Sequence, residues 1–266
     1  MNNFKKASYI VYGCLALAFV FMLGIFFNAY VVNAKLTDKI SSSTNFYDDW
    51  YGKKVVWYGD SVTELNYHCS IVNDYFNFEG YNCGIRGSAI SNIYGNEINL
   101  CNESRTQYPG SEIPDDVEVI FIMAGTNDWC ENVALGDKTL KFDGAGNLIA
   151  DVSTFYGGAH SMFNYLTRKY PNAYIFVLGT PIVASNLYNL YNEQGLTSFD
   201  YGDALCEAAS MWGIQSINIG EMMGINVNNV GDSAGEMYEG LHFTEGAGRK
   251  AANVIIQELC SRRFIN

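Results

Sequence analysis

Histidine is scarce in this 266-residue chain, with three in all, and proline is nearly so, with four. Basic residues are also few: 16 Lys and Arg stand against 28 Asp and Glu, a formal net charge of −12 at pH 7. With no basic surplus to neutralise phosphates, the chain does not read as a nucleic-acid binder. Its 48% hydrophobic content excludes a disordered protein. There is no C-x-x-C pair, and hence no cysteine pattern for zinc or dithiol redox chemistry. Internal repeats and low-complexity blocks are absent as well. The length suits one domain of ordinary size with an appendage.

What is present divides into two regimes. Lys5 and Lys6 are the only charged side chains among the first 34 residues, so all 28 acidic residues come later. Residues 7–34 form an uncharged run rich in Ile, Val, Leu, Ala and Phe. As a helix this run would extend roughly 42 Å, enough to cross a hydrocarbon core of about 30 Å with tilt. Tyr9, Tyr12 and Tyr30 lie near its ends, where amphipathic rings prefer the membrane interface. Val32-Asn33-Ala34 resembles a signal-peptide cleavage site, but the run is longer than a usual signal core. We therefore expect an uncleaved transmembrane anchor in residues 1–34, a linker over 35–51 and a globular domain over 52–266. Lys35 and Lys39 follow the span, so the flanking charges discriminate orientation weakly. The added positive amino terminus favours a cytoplasmic tail and an extracellular domain, secreted if the segment is cleaved. Beyond Cys14, which lies in the run, Cys69, Cys83, Cys101, Cys130, Cys206 and Cys260 could pair as disulfides or remain isolated buried thiols.

Within the globular part, short apolar runs alternate with helical stripes. Strands are predicted at 53–58, 81–85, 117–123, 173–178 and 214–219, and helices at 62–78, 154–170, 199–212 and 244–262. Strands that are apolar throughout, separated by helices, imply a parallel sheet covered on both faces. With right-handed crossovers this is a three-layer open α/β domain. Residues 139–149 read as a small hairpin expected near the carboxyl ends of the strands.

In such sheets, sites form outside the carboxyl ends of the strands. Gly59-Asp60-Ser61 follows the first strand and places a hydroxyl at the start of a helix, although Ser there also serves as an ordinary cap. Gly84-Ile85-Arg86-Gly87 follows the second strand, where glycine lets a backbone N–H approach a ligand. Gly125-Thr126-Asn127-Asp128 follows the third, and its Asn can donate to an oxyanion or simply close an Asx turn. Glu239-Gly240-Leu241-His242 precedes the last helix. His68 and His160 fall within predicted helices, where packing or surface exposure is the plainer role, whereas His242 sits in a glycine-flanked loop. A carboxylate three residues earlier can orient its imidazole and leave Nε2 free to take a serine proton.

In this order the four blocks resemble those of the SGNH, or GDSL-type, hydrolases, over about residues 53–265. The resemblance implies a flavodoxin-like α/β/α domain with Ser61 as nucleophile and His242 as general base. It further implies an oxyanion hole made by the N–H groups of Ser61 and Gly87 and the side chain of Asn127. No metal or nucleotide cofactor is required. The family carries Asp three residues before the histidine; here Glu239 stands there, with Asp232 in the same loop as an alternative, or a Ser–His dyad. Phe243 follows the histidine where many relatives have proline.

The implied function is a membrane-anchored serine esterase acting on acyl esters, acetyl above all, among them O-acetylated carbohydrate. A lysophospholipase, an acyltransferase and a non-catalytic binding module on the same scaffold are the alternatives. Tyr and Asn residues over 186–192 can flank a sugar or simply form a solvated loop. The acidic domain favours neutral over strongly anionic substrates. Oligomeric state is left open.

Overall fold

The computed structural model describes residues 49–183, 189–230 and 237–262. The expected membrane span, most of the expected linker, residues 184–188 and Asp232 lie outside the described residues. Among the described residues, no helix is long and apolar enough to cross a membrane.

Five parallel strands form one sheet: β1 (Lys54–Gly59), β2 (Glu79–Gly84), β3 (Val119–Met123), β4 (Tyr174–Leu178) and β5 (Gln215–Ile217). Their spatial order is β2-β1-β3-β4-β5, with the strand order reversing between β1 and β3. The connecting helices are α1 (Ser61–Glu64), α2 (Tyr67–Phe76), α3 (Thr126–Cys130), α4 (Phe155–Lys169), α5 (Ser198–Met211), α6 (Ile219–Met222) and α7 (Glu245–Ser261). A two-stranded antiparallel hairpin, β6 (Met237–Tyr238) and β7 (His242–Phe243), precedes α7.

Strand alternation sends neighbouring side chains to opposite helical layers. On one face, Trp57, Phe121 and Phe176 are in register on β1, β3 and β4 and stack in a row, with centroids 4.5 and 5.4 Å apart. Trp57 meets α2 through His68 and through a 2.9 Å hydrogen bond from its Nε1 to Asn73. Tyr58 points the other way, and its hydroxyl lies 2.8 Å from that of Tyr165 on α4. Both faces are therefore covered, as the uninterrupted apolar strands predict.

Three local readings change. The helix expected over 62–78 breaks into α1 and α2 because Asn66 takes a left-handed conformation, φ 65°, which Asn tolerates better than most residues. Asn82 holds the break by donating to the Thr63 carbonyl at 2.8 Å and to Asn66 Oδ1 at 3.1 Å. The hairpin over 139–149 reduces to one bridge, Phe142 with Leu148. Phe142 packs on Trp212, which follows α5, and the Lys138 carbonyl just before the segment faces His160 of α4, so the segment lies against these two helices. Of the two readings left open for the cysteines, the six described ones take the second and are free thiols.

The compact unit begins at Trp50, inside the expected linker. Trp50 is 1% exposed, packs on Phe176 and donates from Nε1 to the Leu259 carbonyl at 3.0 Å, tying the start of the domain to the end of α7. Trp50→Ala is expected to cost about 3–5 kcal/mol in urea unfolding, as for other buried aromatics. A change below about 0.5 kcal/mol would show the residue to be linker.

Candidate active site

The site is built where β1 and β3 end side by side. Gly59 pairs with Met123, and a Cβ at Gly59 would stand 2.1 Å from the Met123 carbonyl oxygen, so only glycine lets the strands close here. Asp60 then caps α1, its Oδ1 accepting from the Val62 N–H at 2.9 Å. The cap is thus Asp60, and the Ser61 hydroxyl is released to meet His242, whose Nε2 lies 2.9 Å from Ser61 Oγ. Burial raises the Asp60 carboxyl to about 7 despite the opposing amide hydrogen bond.

His242 stands on β7, opposite Tyr238 of β6. The turn between them uses positive φ at Glu239 (54°) and Gly240 (71°). Phe243, 1% exposed, packs edge-on against His68 with centroids 5.8 Å apart, and this contact pins β7 to the core. His68 is itself buried, and desolvation lowers its pKa to about 4. It is a packing residue. His160 is one too: its Nδ1 accepts from Trp212 Nε1 at 3.0 Å and its Nε2 faces the Lys138 carbonyl at 3.0 Å.

The second wall is the segment after β2. Gly87 has φ 74°, and a Cβ there would touch nothing, so backbone angle and not space selects glycine. Among the described residues, the N–H groups of Ser61 and Gly87 have no acceptor. Asn127 donates one amide hydrogen to the Ser88 carbonyl at 2.8 Å, leaving its second hydrogen free. Ser61, Gly87, Asn127 and His242 line one cleft of about 470 Å³, together with Leu65, Leu241, Glu64, Arg86, Cys130 and Glu131. A hydroxyl paired with an imidazole beside unpaired N–H donors can attack a carbonyl and hold the resulting oxyanion.

Glu239 also lines this cleft but is exposed, and among the described residues its carboxylate makes no hydrogen bond to the imidazole. Its negative charge nonetheless acts on His242. Burial lowers the His242 pKa, the negative charges of Glu239 and Glu64 oppose that shift, and the positive charge of Arg86 reinforces it. The Arg86 guanidinium pairs with Glu64, Nε to Oε2 at 3.0 Å. In an NMR titration His242 should therefore protonate below 6.5. Glu239→Gln removes a charge favouring the imidazolium and should lower the midpoint further. Arg86→Gln removes an opposing cation and should raise it. Shifts in the reverse directions would contradict this arrangement.

Two positioning residues escaped the sequence reading. Asp128, fully buried, accepts from the Ile90 N–H at 2.8 Å, the Ser91 N–H at 2.9 Å and the Ser91 hydroxyl at 2.6 Å. Burial raises its carboxyl to about 6 while these donors pull it back. Arg105, also fully buried, lies over the Tyr58 ring at 4.9 Å. Its Nε donates to the Ile98 carbonyl at 3.0 Å and its Nη2 to that of Cys83 at 2.5 Å, at the end of β2. Asp128 had one available signal, its place beside Asn127; Arg105, in a polar stretch, had none. Asp128→Asn leaves one acceptor oxygen for three donors. It should cost about 1.5–3 kcal/mol in urea unfolding and slow phosphonate labelling of Ser61; unchanged stability and labelling would refute the clamp.

No family model matches the chain, and no curated protein matches it. Solved structures do share its fold. A protein from Lactobacillus plantarum is 23% identical, with TM-score 0.65, over 80% of this chain and 98% of that one. A GDSL-like lipase from Bacteroides thetaiotaomicron is 18% identical, with TM-score 0.52, over 78% and 87%. An acetylxylan esterase from Geobacillus stearothermophilus is 14% identical, with TM-score 0.54, over 79% and 95%. The fold is the α/β fold of GDSL-like lipases and acylhydrolases. Its five-stranded parallel sheet is the one the sequence led us to expect.

Proposed function

We propose that the chain is a serine esterase that hydrolyses acyl esters, with acetyl the favoured acyl group and O-acetylated carbohydrate the favoured substrate class. The observation that carries this reading is the 2.9 Å contact between His242 Nε2 and Ser61 Oγ, made by residues 181 positions apart. In this reading Ser61 Oγ attacks the ester carbonyl while its proton passes to His242 Nε2. The Ser61 and Gly87 N–H groups and the Asn127 amide receive the oxyanion. Collapse expels the alcohol, which takes the proton from His242, and leaves an acyl-Ser61. Water, deprotonated by the same imidazole, then releases the acid and restores the serine. No bound metal or nucleotide enters these steps.

Glu239 serves as a charge that favours the imidazolium formed during each step, with Ser61 and His242 as the working pair. The name of the Geobacillus protein, an acetylxylan esterase, and those of the GDSL-like lipases support acyl-ester chemistry for this chain. The uncharged run over residues 7–34 supports a catalytic domain tethered at the outer face of a membrane, where surface polysaccharide is the nearby ester.

Purified protein should hydrolyse a short aryl acetate and be labelled at Ser61 by a serine-directed phosphonate. Ser61→Ala should abolish labelling and lower kcat by at least about 10³-fold. Activity retained in that variant would overturn the reading. Acetate release from acetylated polysaccharide, measured against fatty-acid release from lysolipid, separates the favoured substrate from a lysophospholipid.

A further inference from the structure

Beside the catalytic cleft lies a second, polar cleft of about 170 Å³, lined by Trp129, Asn132, Asn189, Tyr191 and Glu193. Cys130 lines both clefts, so they meet across the segment that ends α3. We propose that this second cleft is a sugar subsite, taking the pyranose next to the acetylated one in a neutral oligosaccharide. The proposal rests on the esterase reading above and extends it to the alcohol side of the substrate.

The dividing segment is held from both sides. Asn132 Oδ1 accepts from the Glu193 N–H at 2.8 Å, and the Asn132 carbonyl accepts from Gln194 Nε2 at 2.5 Å. Trp129 Nε1 donates to the Leu196 carbonyl at 3.0 Å. Asn192 is saturated within the wall, its Oδ1 accepting from the N–H groups of Gln194 and Leu196 at 3.0 Å each. A wall tied in this way is formed before any ligand arrives, so binding costs little ordering.

On that wall, the groups without structural duty are those that recognise sugars. Tyr191 is 58% exposed and offers an apolar ring face with a hydroxyl at its tip. Asn189 is exposed, and neither it nor Tyr191 has a side-chain hydrogen bond among the described residues. The Asn132 amide keeps its Nδ2 donors, and the Glu193 carboxylate is an acceptor. Planar amides, a carboxylate and an aromatic face match the alternating hydroxyls and C–H faces of a pyranose. An alkyl chain would strand these polar groups without partners.

Charge narrows the class further. Glu64, Glu131, Glu193 and Glu239 line the two clefts, whereas among the described residues Arg86 is their one Lys or Arg and is engaged with Glu64. Uronic or phosphorylated polymers would be repelled at short range, and neutral glycans would not.

The test uses Tyr191→Ala and Asn189→Ala, both at exposed positions, with thermal unfolding to verify the fold. Substrates are a short aryl acetate, acetylated glucose, a lysophospholipid and partial O-acetates of cellotriose and xylotriose. The trisaccharides should lose about tenfold in kcat/KM, mainly through KM, while the aryl acetate and acetylated glucose stay within about twofold. Equal losses on all substrates, no loss on the trisaccharides, or a loss confined to a lysophospholipid would each overturn the subsite. Calorimetry with unacetylated cellotriose and xylotriose separates the two readings. Binding that weakens in Tyr191→Ala in a protein that splits no aryl acetate keeps the subsite and removes the esterase. Aryl-acetate hydrolysis with no trisaccharide binding does the reverse.

Discussion

The arrangement at the strand ends depends on one carboxylate. Asp128 has no access to water and accepts three donors from residues 90 and 91, while its neighbour Asn127 holds Ser88. Adjacent residues of α3 thus grip one loop at two points, and the end of β3 and the segment after β2 become a single piece. An oxyanion hole assembled from separate chain segments works only if those segments cannot drift, since donors help only at hydrogen-bond distance from where charge develops. Rigidity of this kind is bought by burying a charge, and the raised pKa values of Asp128 and Asp60 record the cost. Arg105 plays the matching part from below by donating to the Cys83 carbonyl where β2 ends.

The opposite wall follows a different design. His242 rides on a two-residue strand whose sheet partner among the described residues is the equally short β6, too little pairing to hold an imidazole by itself. Its anchor is the side chain of the next residue, Phe243, set against His68 and through it against Trp57. A position that reads as a departure from the resembled sequence pattern is, in three dimensions, what seats the base. The two walls meet where Ser61 contacts His242, at the point where the strand order reverses.

How much of this was legible in the sequence follows from where the physics is local. β1, β3 and β4 are buried on both faces and announce themselves as apolar runs. β2, at the sheet edge and half exposed, gives the weaker signal, Glu-Gly-Tyr-Asn-Cys-Gly. Ser61, Gly87, Asn127 and His242 were readable because each sits where a strand ends or a turn forces the backbone, and all four line one cleft. Glu239 was readable as a charge beside His242, but its exposure and missing hydrogen bond depend on the hairpin's geometry, which spacing does not encode. The break at Asn66 hides inside an unbroken apolar stripe from Val62 to Phe76. Trp50, Asp128 and Arg105 look like linker, turn and loop residues; their roles arise from partners far along the chain.

The free cysteines carry a consequence of another kind. Burial pushes the thiols of Cys83 and Cys206 up to about 11 and those of Cys101 and Cys130 up to about 12, and Cys69 well above the ordinary value. Of these, Cys69, Cys83 and Cys101 are buried; they stay in the unreactive protonated form near neutrality while the domain is closed and regain ordinary nucleophilicity when their surroundings open. They lie on α2, on β2 and in the loop that follows β2. The chain thereby carries intrinsic opening reporters: alkylation rates at the separate sulfurs resolve which layer of the domain loosens first.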